Sequence, residues 1–356
     1  MLYPREQLHS FAAQVFQQCG LTEADARLAA DVLDAADIRG IDSHGISRLW
    51  AYVRLFDERL VNPRPKVSII RETASTAAVD GDNGLGLIVG PKANNIAMQK
   101  AAEAGMGWVT VRGSSHYGIA GYYPLQALRH ELIGWSMTNA STRVTPLWGA
   151  ERQLGTNPIA VAFPAGEEQP IVIDMATSVV ALGKLEIAQR KGELVPDGWI
   201  VDRDGQPSNR PEEMSAGGCL LPLGSDRESG GHKGYCLASL VDLLSGVLSG
   251  ANWGPFVPSF LIAERNLPPV GKGTGHCFAS MRIDAFMDLE EYKQRVDQWI
   301  RTMRSTKPAP GTNGPIIPGD PERQTEAERS KSGIPLHQSV VDGLREVARQ
   351  KEVAFD

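Results

Sequence analysis

Helical periodicity at both ends of the chain, with strand-like runs between them, is the feature that most limits the possible folds. Apolar residues recur at helical spacing over residues 4–19, and the box TEAD opens a second helix over residues 22–39. Runs such as WVTV, IAVAF and PIVID alternate with further helical patterns in the middle of the chain. These patterns predict an α+β fold, in which a mixed β-sheet core with flanking helices is joined by a helical lobe from both termini.

We expect residues 1–72 and 306–356 to form the helical lobe and residues 73–305 to form the mixed-sheet domain. The chain has 356 residues, of which 42% are hydrophobic, and it can therefore bury a core of this size. The longest apolar segment, KGYCLASLVDLLSGVLSG, is interrupted by Asp242 and rich in small residues. This composition favours close packing in a core over insertion into a membrane.

Charge and cysteine content argue against several classes of partner. A net charge of −6 disfavours a broad nucleic-acid surface, and no run reaches the roughly 18 apolar residues that a membrane helix needs. The N-terminus MLYPREQLHS lacks the apolar core of a signal peptide, which predicts a cytoplasmic protein. The four cysteines are scattered without a CxxC pair, so neither a disulfide framework nor a structural zinc site is predicted.

The stretch GIDSHGISRLWAYVRLF combines polar groups with an amphipathic helical pattern. A cap at Asp42 or Ser43 would begin a helix here. Three polar side chains would then fall at i, i+4 and i+8 on one stripe: His44, Arg48 and Tyr52. Such a stripe is a poor core surface because each buried group needs a partner, but it suits a small anion, since an arginine can grip a carboxylate. A solvated helix face with one half-buried histidine is the alternative.

Two glycine-rich segments are candidate phosphate sites. Gly84, Gly86 and Gly90 suggest a dinucleotide fingerprint, but their spacing is GxGxxxG and the next strand ends on an arginine instead of an acidic ribose contact. In SGGHKGY, His232 and Lys233 stand at the start of the long apolar helix. A lysine there opposes the helix dipole unless an anion is bound, so this segment is the stronger candidate. A flexible loop with a solvated lysine is the alternative.

Turns after two strands carry further polar signals. His116 follows WVTV within the glycine-rich turn GSSHYGIAGYY, a position that often carries active-site groups in α/β proteins. VIDMATS ends a buried strand with Asp174, whose carboxylate needs either a structural partner or a ligand hydroxyl. Asn157 in GTNPIAVAFP is explained equally well by turn chemistry.

Seven segments in order resemble the type-2 malate/L-lactate dehydrogenase family, which includes ureidoglycolate and sulfolactate dehydrogenases. They are SHGISR, SSHYGIAGYY, GTNPIAVAFP, DMATSVVALGKLEIA, VPDGWIVDRDGQP, HKGYCLASLVDLLSGVLSGA and PGDPE, and together they span nearly the whole chain. The resemblance implies a small 2-hydroxy or 2-oxo acid as substrate and NAD or NADP as cofactor. It also implies a fold unrelated to the Rossmann fold, with the cofactor in the mixed-sheet domain, and a homodimer.

The resemblance further implies site residues. Substrate contacts match Ser43, Arg48 and Tyr52, and acid/base positions match His44 and His116. The implied cofactor contacts lie in four segments and comprise Ala140, Asp174, Met175, Ala176, Thr177, Ser178, His232, Lys233, Pro318 and Gly319. Where some relatives have serine at position 140 this chain has alanine, so a contact there would come from the backbone. No metal site is implied.

The expected chemistry is reversible hydride transfer with one proton handled by a histidine. We favour His116 as the proton carrier, because a helix dipole would lower the pKa of His44, whereas a pKa near neutral suits proton exchange. A metal-dependent hydrolase is an alternative from another class, with ligands drawn from His44, His116, Asp174 and His276, although no HExxH pairing supports it. A noncatalytic nucleotide-binding protein would keep Lys233 without needing the polar stripe.

Overall fold

The computed structural model describes residues 1–260 and 267–355. The α-helices in this part of the chain are α1 (Arg5–Gln18), α2 (Glu23–Ile38), α3 (Leu49–Asp57), α4 (Gly86–Ala104), α5 (Tyr122–Leu128), α6 (Leu182–Lys191), α7 (Gly231–Asp242), α8 (Leu289–Arg304), α9 (Asp320–Ser332) and α10 (Gln338–Lys351). The strands are β1 (Leu2–Tyr3), β2 (Ser68–Glu72), β3 (Thr76–Asp80), β4 (Met106–Ser114), β5 (Leu132–Thr138), β6 (Ile159–Phe163), β7 (Ile171–Met175), β8 (Ile200–Val201), β9 (Pro207–Ser208), β10 (Cys219–Leu220), β11 (Thr274–Arg282) and β12 (Ile334–Pro335).

A mixed sheet of seven strands forms the centre of the molecule, in the order β2-β3-β4-β11-β5-β6-β7. Strands β3 and β4 are parallel, and the other neighbouring pairs in this sheet are antiparallel. The long central strands β4 and β11 are almost entirely buried, and α4 packs against both. This mixed sheet with flanking helices confirms the α+β prediction.

The two chain termini lie side by side. β1 pairs with β12, and α1, α2, α3 and α10 contribute to one apolar core. The predicted helix start at TEAD forms with Thr22 as its N-cap, whose hydroxyl accepts a hydrogen bond from the backbone N–H of Asp25 at 3.1 Å. β2 is the edge strand of the central sheet, which therefore begins upstream of the expected boundary at residue 72. The division into two lobes stays a prediction, and residues 261–266 and 356 lie outside the described residues.

The long apolar segment is only partly buried. α7 continues into a π-helical turn over Leu243–Val247. Large apolar side chains remain exposed along it, namely Leu240, Leu243, Val247 and Leu248. The segment thus packs against the core on one side, in line with the expectation of core packing, and leaves an apolar face uncovered on the other. No helix in residues 1–260 or 267–355 is long and apolar enough to cross a membrane.

The glycines that suggested a dinucleotide fingerprint pack α4 against the rest of the protein. A Cβ at Gly86 would lie 2.4 Å from the carbonyl oxygen of His116, and a Cβ at Gly90 would lie 2.6 Å from the Tyr123 hydroxyl. These contacts leave no room for a diphosphate. The glycines instead allow α4 to approach the turn that carries His116.

Candidate active site

The turn that carries Ser43 and His44 contacts a buried carboxylate. Asp37, at the end of α2, accepts a hydrogen bond from the backbone N–H of Ile46 at 2.7 Å. Burial raises the pKa of Asp37 to about 8, so this carboxyl is largely uncharged at neutral pH. A Cβ at Gly45 would lie 1.9 Å from an Asp37 oxygen, and only glycine therefore permits the contact.

A helix capped by Asp42 or Ser43 does not form. The backbone at Gly45 has a ψ angle of −146°, which is outside helical geometry, and a 3₁₀ turn over Ile46–Arg48 precedes α3. His44 therefore lies in a turn before the helix. The prediction of a single helical stripe is wrong, because the buried carboxylate beneath the turn organises the backbone in a way that helical spacing cannot indicate.

The expected substrate and acid/base side chains nevertheless come together. The rings of His44 and His116 stack with their centroids 5.6 Å apart. The Tyr52 hydroxyl lies 2.7 Å from His116 Nδ1, and the Ser43 hydroxyl lies 2.8 Å from His44 Nδ1. Arg48 Nε donates to the carbonyl of Ser43 at 2.7 Å. A guanidinium, two imidazoles and two hydroxyls thus share one small site.

Tyr52 is placed differently from the other expected substrate contacts. Its side chain is 0% exposed, and its hydroxyl contacts His116 instead of an open surface. Because this hydrogen bond occupies Nδ1, it fixes the orientation of the imidazole and leaves Nε2 for another partner. His44 and His116 themselves are only half-buried.

The surroundings of both imidazoles of the site favour the neutral form. Burial, assisted by the charge of Arg48, lowers the pKa of His44 to about 4. Burial also lowers the pKa of His116 well below 6.5, with smaller contributions from His44, Arg48 and His276. The expectation of a near-neutral pKa at His116 is therefore wrong, and desolvation replaces the helix dipole as the main cause at His44.

His276 is engaged in the sheet and cannot reach a metal with these histidines. It is fully buried, its Nδ1 lies 2.7 Å from the Thr138 hydroxyl, and its Nε2 lies 2.7 Å from the Ser114 hydroxyl. Within residues 1–260 and 267–355, no three His, Cys, Asp or Glu side chains are placed to hold a metal ion. The geometry gives the hydrolase alternative no support.

The segments expected to contact the cofactor are neighbours in space. The turn after β7 joins the α7 N-terminus through Leu223, whose backbone N–H donates to the carbonyl of Thr177 at 2.9 Å and whose carbonyl packs against Gly234. β7 itself contacts the segment that contains Pro318 and Gly319, because the backbone N–H of Val172 donates to the carbonyl of Pro318 at 3.0 Å. The turn Asp174–Ser178, the start of α7 and the turn at Pro318 and Gly319 therefore belong to one surface.

Several of the predicted cofactor contacts are engaged inside the protein. The Thr177 hydroxyl donates to the carbonyl of Asn157 at 3.0 Å, and the Ser178 hydroxyl donates to that of Val180 at 2.8 Å. The backbone N–H of Ala140 donates to the Asn157 side chain at 3.1 Å, so a backbone contact there is left to the carbonyl. Thr177, Ser178 and Ala140 therefore use these groups to stabilise the surface itself. Ala140, which is the fourth predicted segment, is connected to the surface through Asn157.

A cavity of about 330 Å³ lies beside this surface. Asp174, Met175, Pro318 and Gly319 line it. The Asp174 carboxylate accepts a hydrogen bond from the backbone N–H of Gly121 at 2.8 Å, and the surrounding protein desolvates it and raises its pKa to about 6. Gly121, which also lines the cavity, lies five residues after His116 in the chain.

The start of α7 has the donors that an anion requires. The helix begins at Gly231 without a side-chain cap, and Lys233 is exposed in its first turn, as predicted. Arg227 Nη1 lies 2.6 Å from His232 Nδ1, which adds a third basic side chain. The backbone N–H groups of Gly231 and Lys233 already donate to the carbonyls of Asp226 and Gly230, so the helix dipole and the basic side chains are the features that fit a diphosphate.

Two residues of the site were missed from the sequence. Phe260 stacks on His116, and no periodicity links its segment, NWGPFVPSF, to that turn. Asp37 is one of five acidic residues in α2, and helical spacing does not distinguish it from the others. A buried carboxylate beside the SHG turn could have been suspected only from the glycine at position 45, which indicates a close approach.

Comparison with known proteins shows the family to which the chain belongs. The sequence model of the malate/L-lactate dehydrogenase family matches residues 3–345. A malate dehydrogenase of Pyrococcus horikoshii is 43% identical over 98% of this chain and 94% of its own length. A solved malate dehydrogenase structure from that organism has a TM-score of 0.90 at 41% identity, covering 99% of this chain and 96% of that one.

Two further relatives carry other substrate names. An L-sulfolactate dehydrogenase of Methanocaldococcus jannaschii is 36% identical over 98% of this chain and 97% of its own length. A ureidoglycolate dehydrogenase (NAD(+)) of Escherichia coli O157:H7 is 33% identical over 94% of this chain and 93% of its own length. Similarity along almost the full length of each relative means that the whole chain, and not one module, is shared.

Proposed function

The chain belongs to the malate/L-lactate dehydrogenase family, and from that premise we propose that it interconverts malate and oxaloacetate. It is an NAD(P)-dependent oxidoreductase acting on the CH–OH group of a small 2-hydroxy acid, and its family membership confirms the resemblance of the seven motifs. The main support for the proposal is that Arg48, His44 and His116 lie in one site. A guanidinium that can bind a carboxylate is there combined with neutral imidazoles that can exchange a proton. Malate is preferred within the family because the malate dehydrogenase of P. horikoshii is more similar than the sulfolactate and ureidoglycolate relatives.

Each side chain of the site has one proposed role. The Arg48 guanidinium binds the carboxylate next to the reacting carbon, and the Ser43 hydroxyl orients it. His116 Nε2 takes the hydroxyl proton on oxidation, which requires the tautomer whose Nδ1 already carries the ring hydrogen and donates it to the Tyr52 oxygen. Tyr52 thus orients the base without contacting the substrate. His44, which is neutral, hydrogen-bonds the substrate oxygen.

The cofactor, when bound, accepts or supplies the hydride through its nicotinamide. We propose that the α7 N-terminus with His232 and Lys233 holds its diphosphate, and that Asp174, Met175, Pro318 and Gly319 contact it in the cavity. The fold is proposed to be non-Rossmann. In its support, the central sheet has one parallel pair of neighbours, and protein atoms fill the space beside the glycines of α4.

Lys233→Ala should weaken cofactor binding without unfolding the protein, because the exposed amine contributes to the anion site alone. We expect the Kd for the dinucleotide to rise at least about tenfold, or roughly 1.4 kcal/mol. Fluorescence titration of the free enzyme measures this Kd, with Lys331→Ala on the exposed helix α9 as the matched control. An unchanged Kd would mean that SGGHKGY is only a flexible loop with a solvated lysine.

We propose a homodimer, and the exposed apolar residues along α7 and its π-helical turn support it. Leu240, Leu243, Val247 and Leu248 stand at i, i+3, i+7 and i+8, which places them on one face. A contiguous apolar face of this kind is typical of an interface. Leu243 is 56% exposed, and Leu243→Glu should therefore convert the dimer to a monomer in light scattering after gel filtration, whereas Leu60→Glu elsewhere should not. A monomeric wild-type protein would contradict the proposal.

The function itself is tested by assaying the purified protein with malate, L-lactate, sulfolactate and ureidoglycolate, each with NAD and with NADP. We expect malate to give the highest kcat/KM, followed through nicotinamide absorbance. A higher value for sulfolactate or ureidoglycolate would keep the chemistry and replace the substrate. No reduction of either cofactor with any of the four acids would overturn the proposal.

A further inference from the structure

Phe260 covers one face of the His116 imidazole. The two rings lie 4.2 Å apart, centroid to centroid, with an interplanar angle of 8°, which is stacked geometry. The same phenyl ring tilts against Tyr52 at 4.7 Å. One side chain therefore contacts both partners of the Tyr52–His116 hydrogen bond.

The position of Phe260 is fixed from α3. Arg54 Nη2 donates to the carbonyl oxygen of Phe260 at 3.0 Å, and Arg54 lies two residues after Tyr52 in that helix. The phenyl ring also packs against the main apolar core. α3 therefore orients His116 through the Tyr52 hydroxyl and also holds the backbone of Phe260 through Arg54.

A hydrocarbon ring at this place has consequences that a polar one would not have. It makes no hydrogen bond, so it leaves Nδ1 of His116 to Tyr52 and Nε2 to the substrate. It occupies a face that water would otherwise reach, and loss of water disfavours the charged imidazolium. Stacking also restricts rotation of the imidazole out of the plane that the Tyr52 hydroxyl requires.

We propose that Phe260 is a positioning residue for proton transfer, which holds the imidazole of His116 in plane and keeps water from the face it covers. The proposal rests on His116 being the proton carrier. The other polar groups near that imidazole are Tyr52, His44, Arg48 and His276, with the backbone N–H of Gly118 at 3.4 Å from Nδ1, and replacing Phe260 removes none of them. An effect on the titration of His116 would therefore report the lost ring.

The test uses Phe260→Leu and Phe260→Ala, with Phe256→Leu as the matched control. Phe256 is in the same segment but packs on Trp253 at 5.0 Å. We expect Phe260→Ala to lower kcat about tenfold with little change in KM, consistent with the strength of one aromatic pair, and Phe260→Leu to lower it less. The control should match the wild type.

A second readout does not depend on turnover. In the free protein, NMR titration of labelled histidines gives the pKa of His116, whose resonance is identified by its loss in His116→Asn. Phe260→Ala should move that pKa upward toward 6.5, the ordinary value, and Phe256→Leu should leave it in place. An unchanged pKa together with an unchanged kcat would overturn the role of Phe260. If His116→Ala itself retains full activity, the assignment of His116 as the proton carrier fails instead.

Arg54→Met provides an independent check, because it removes the backbone anchor and keeps the aromatic ring. We expect the same direction of change in kcat and in the pKa of His116. Arg54→Met and Phe260→Ala combined should lose less than the product of the two single effects, since both act on one contact. Multiplicative losses would show that Arg54 acts elsewhere and that the ring is not held from α3.

Discussion

His116→Ala is expected to lower kcat for oxidation of the 2-hydroxy acid roughly a hundred- to ten-thousandfold, which is the usual contribution of a general base. The reason is geometric: Tyr52 engages Nδ1 of this imidazole and leaves Nε2 as the only nitrogen able to take the substrate proton. Alanine provides no acceptor in that place. Steady-state kinetics at saturating cofactor measures the loss, and the effect should be in kcat.

His44→Asn is the matched comparison for that variant. An asparagine can still hydrogen-bond the substrate oxygen, and the turn should survive because its backbone is held through Ile46 and Asp37. We expect a weaker effect, mainly a raised KM for the 2-oxo acid. A larger loss of kcat in His44→Asn than in His116→Ala would reverse the two roles.

Arg48→Lys should reduce kcat/KM about 30-fold, which corresponds to ~2 kcal/mol, the scale of a hydrogen bond to a charged group. Arg48 donates through Nε to the carbonyl of Ser43, and a planar guanidinium held in this way can also contact a carboxylate in fixed geometry. A lysine ammonium keeps the charge but cannot make both contacts in fixed geometry.

The loss in Arg48→Lys should come from a higher KM for the acid, with the Kd for the cofactor unchanged. Arg295→Lys, on the surface of α8, is the control and should behave as the wild type. A variant at position 48 with a normal KM for malate would show that this guanidinium does not bind the carboxylate.

Helices and strands with strong periodicity were predictable, and those without it were not. α1 and α2 follow from apolar spacing and from the Thr22 cap, and β4 follows from the run WVTV. α9 could not be predicted in this way, because it buries no residue and so has no apolar stripe. Its sequence is instead rich in charged groups that form ion pairs, such as Arg323 with Asp320.

The sequence predicted which residues form the site but not how they are arranged. The motifs named the histidines, the arginine and the tyrosine, yet helical spacing placed them on a stripe that does not exist. Three tertiary contacts build the site instead: Asp37 beneath the SHG turn, the Tyr52 hydroxyl on His116, and the ring of Phe260. Each joins residues far apart in the chain or depends on burial, and no local pattern encodes such contacts.

The pH dependence of kcat/KM for malate oxidation tests the assignment of His116 most directly. The neutral imidazole is the active form, so the rate falls as pH drops through its pKa. Burial lowers that pKa well below 6.5, and the wild type should therefore stay flat through neutrality and lose activity only in acid. The pH profile of His44→Asn should keep this loss of activity at acidic pH, which is the acidic limb of the profile. The profile of His116→Ala should lack that limb. A limb that persists without His116 and vanishes without His44 would contradict the account.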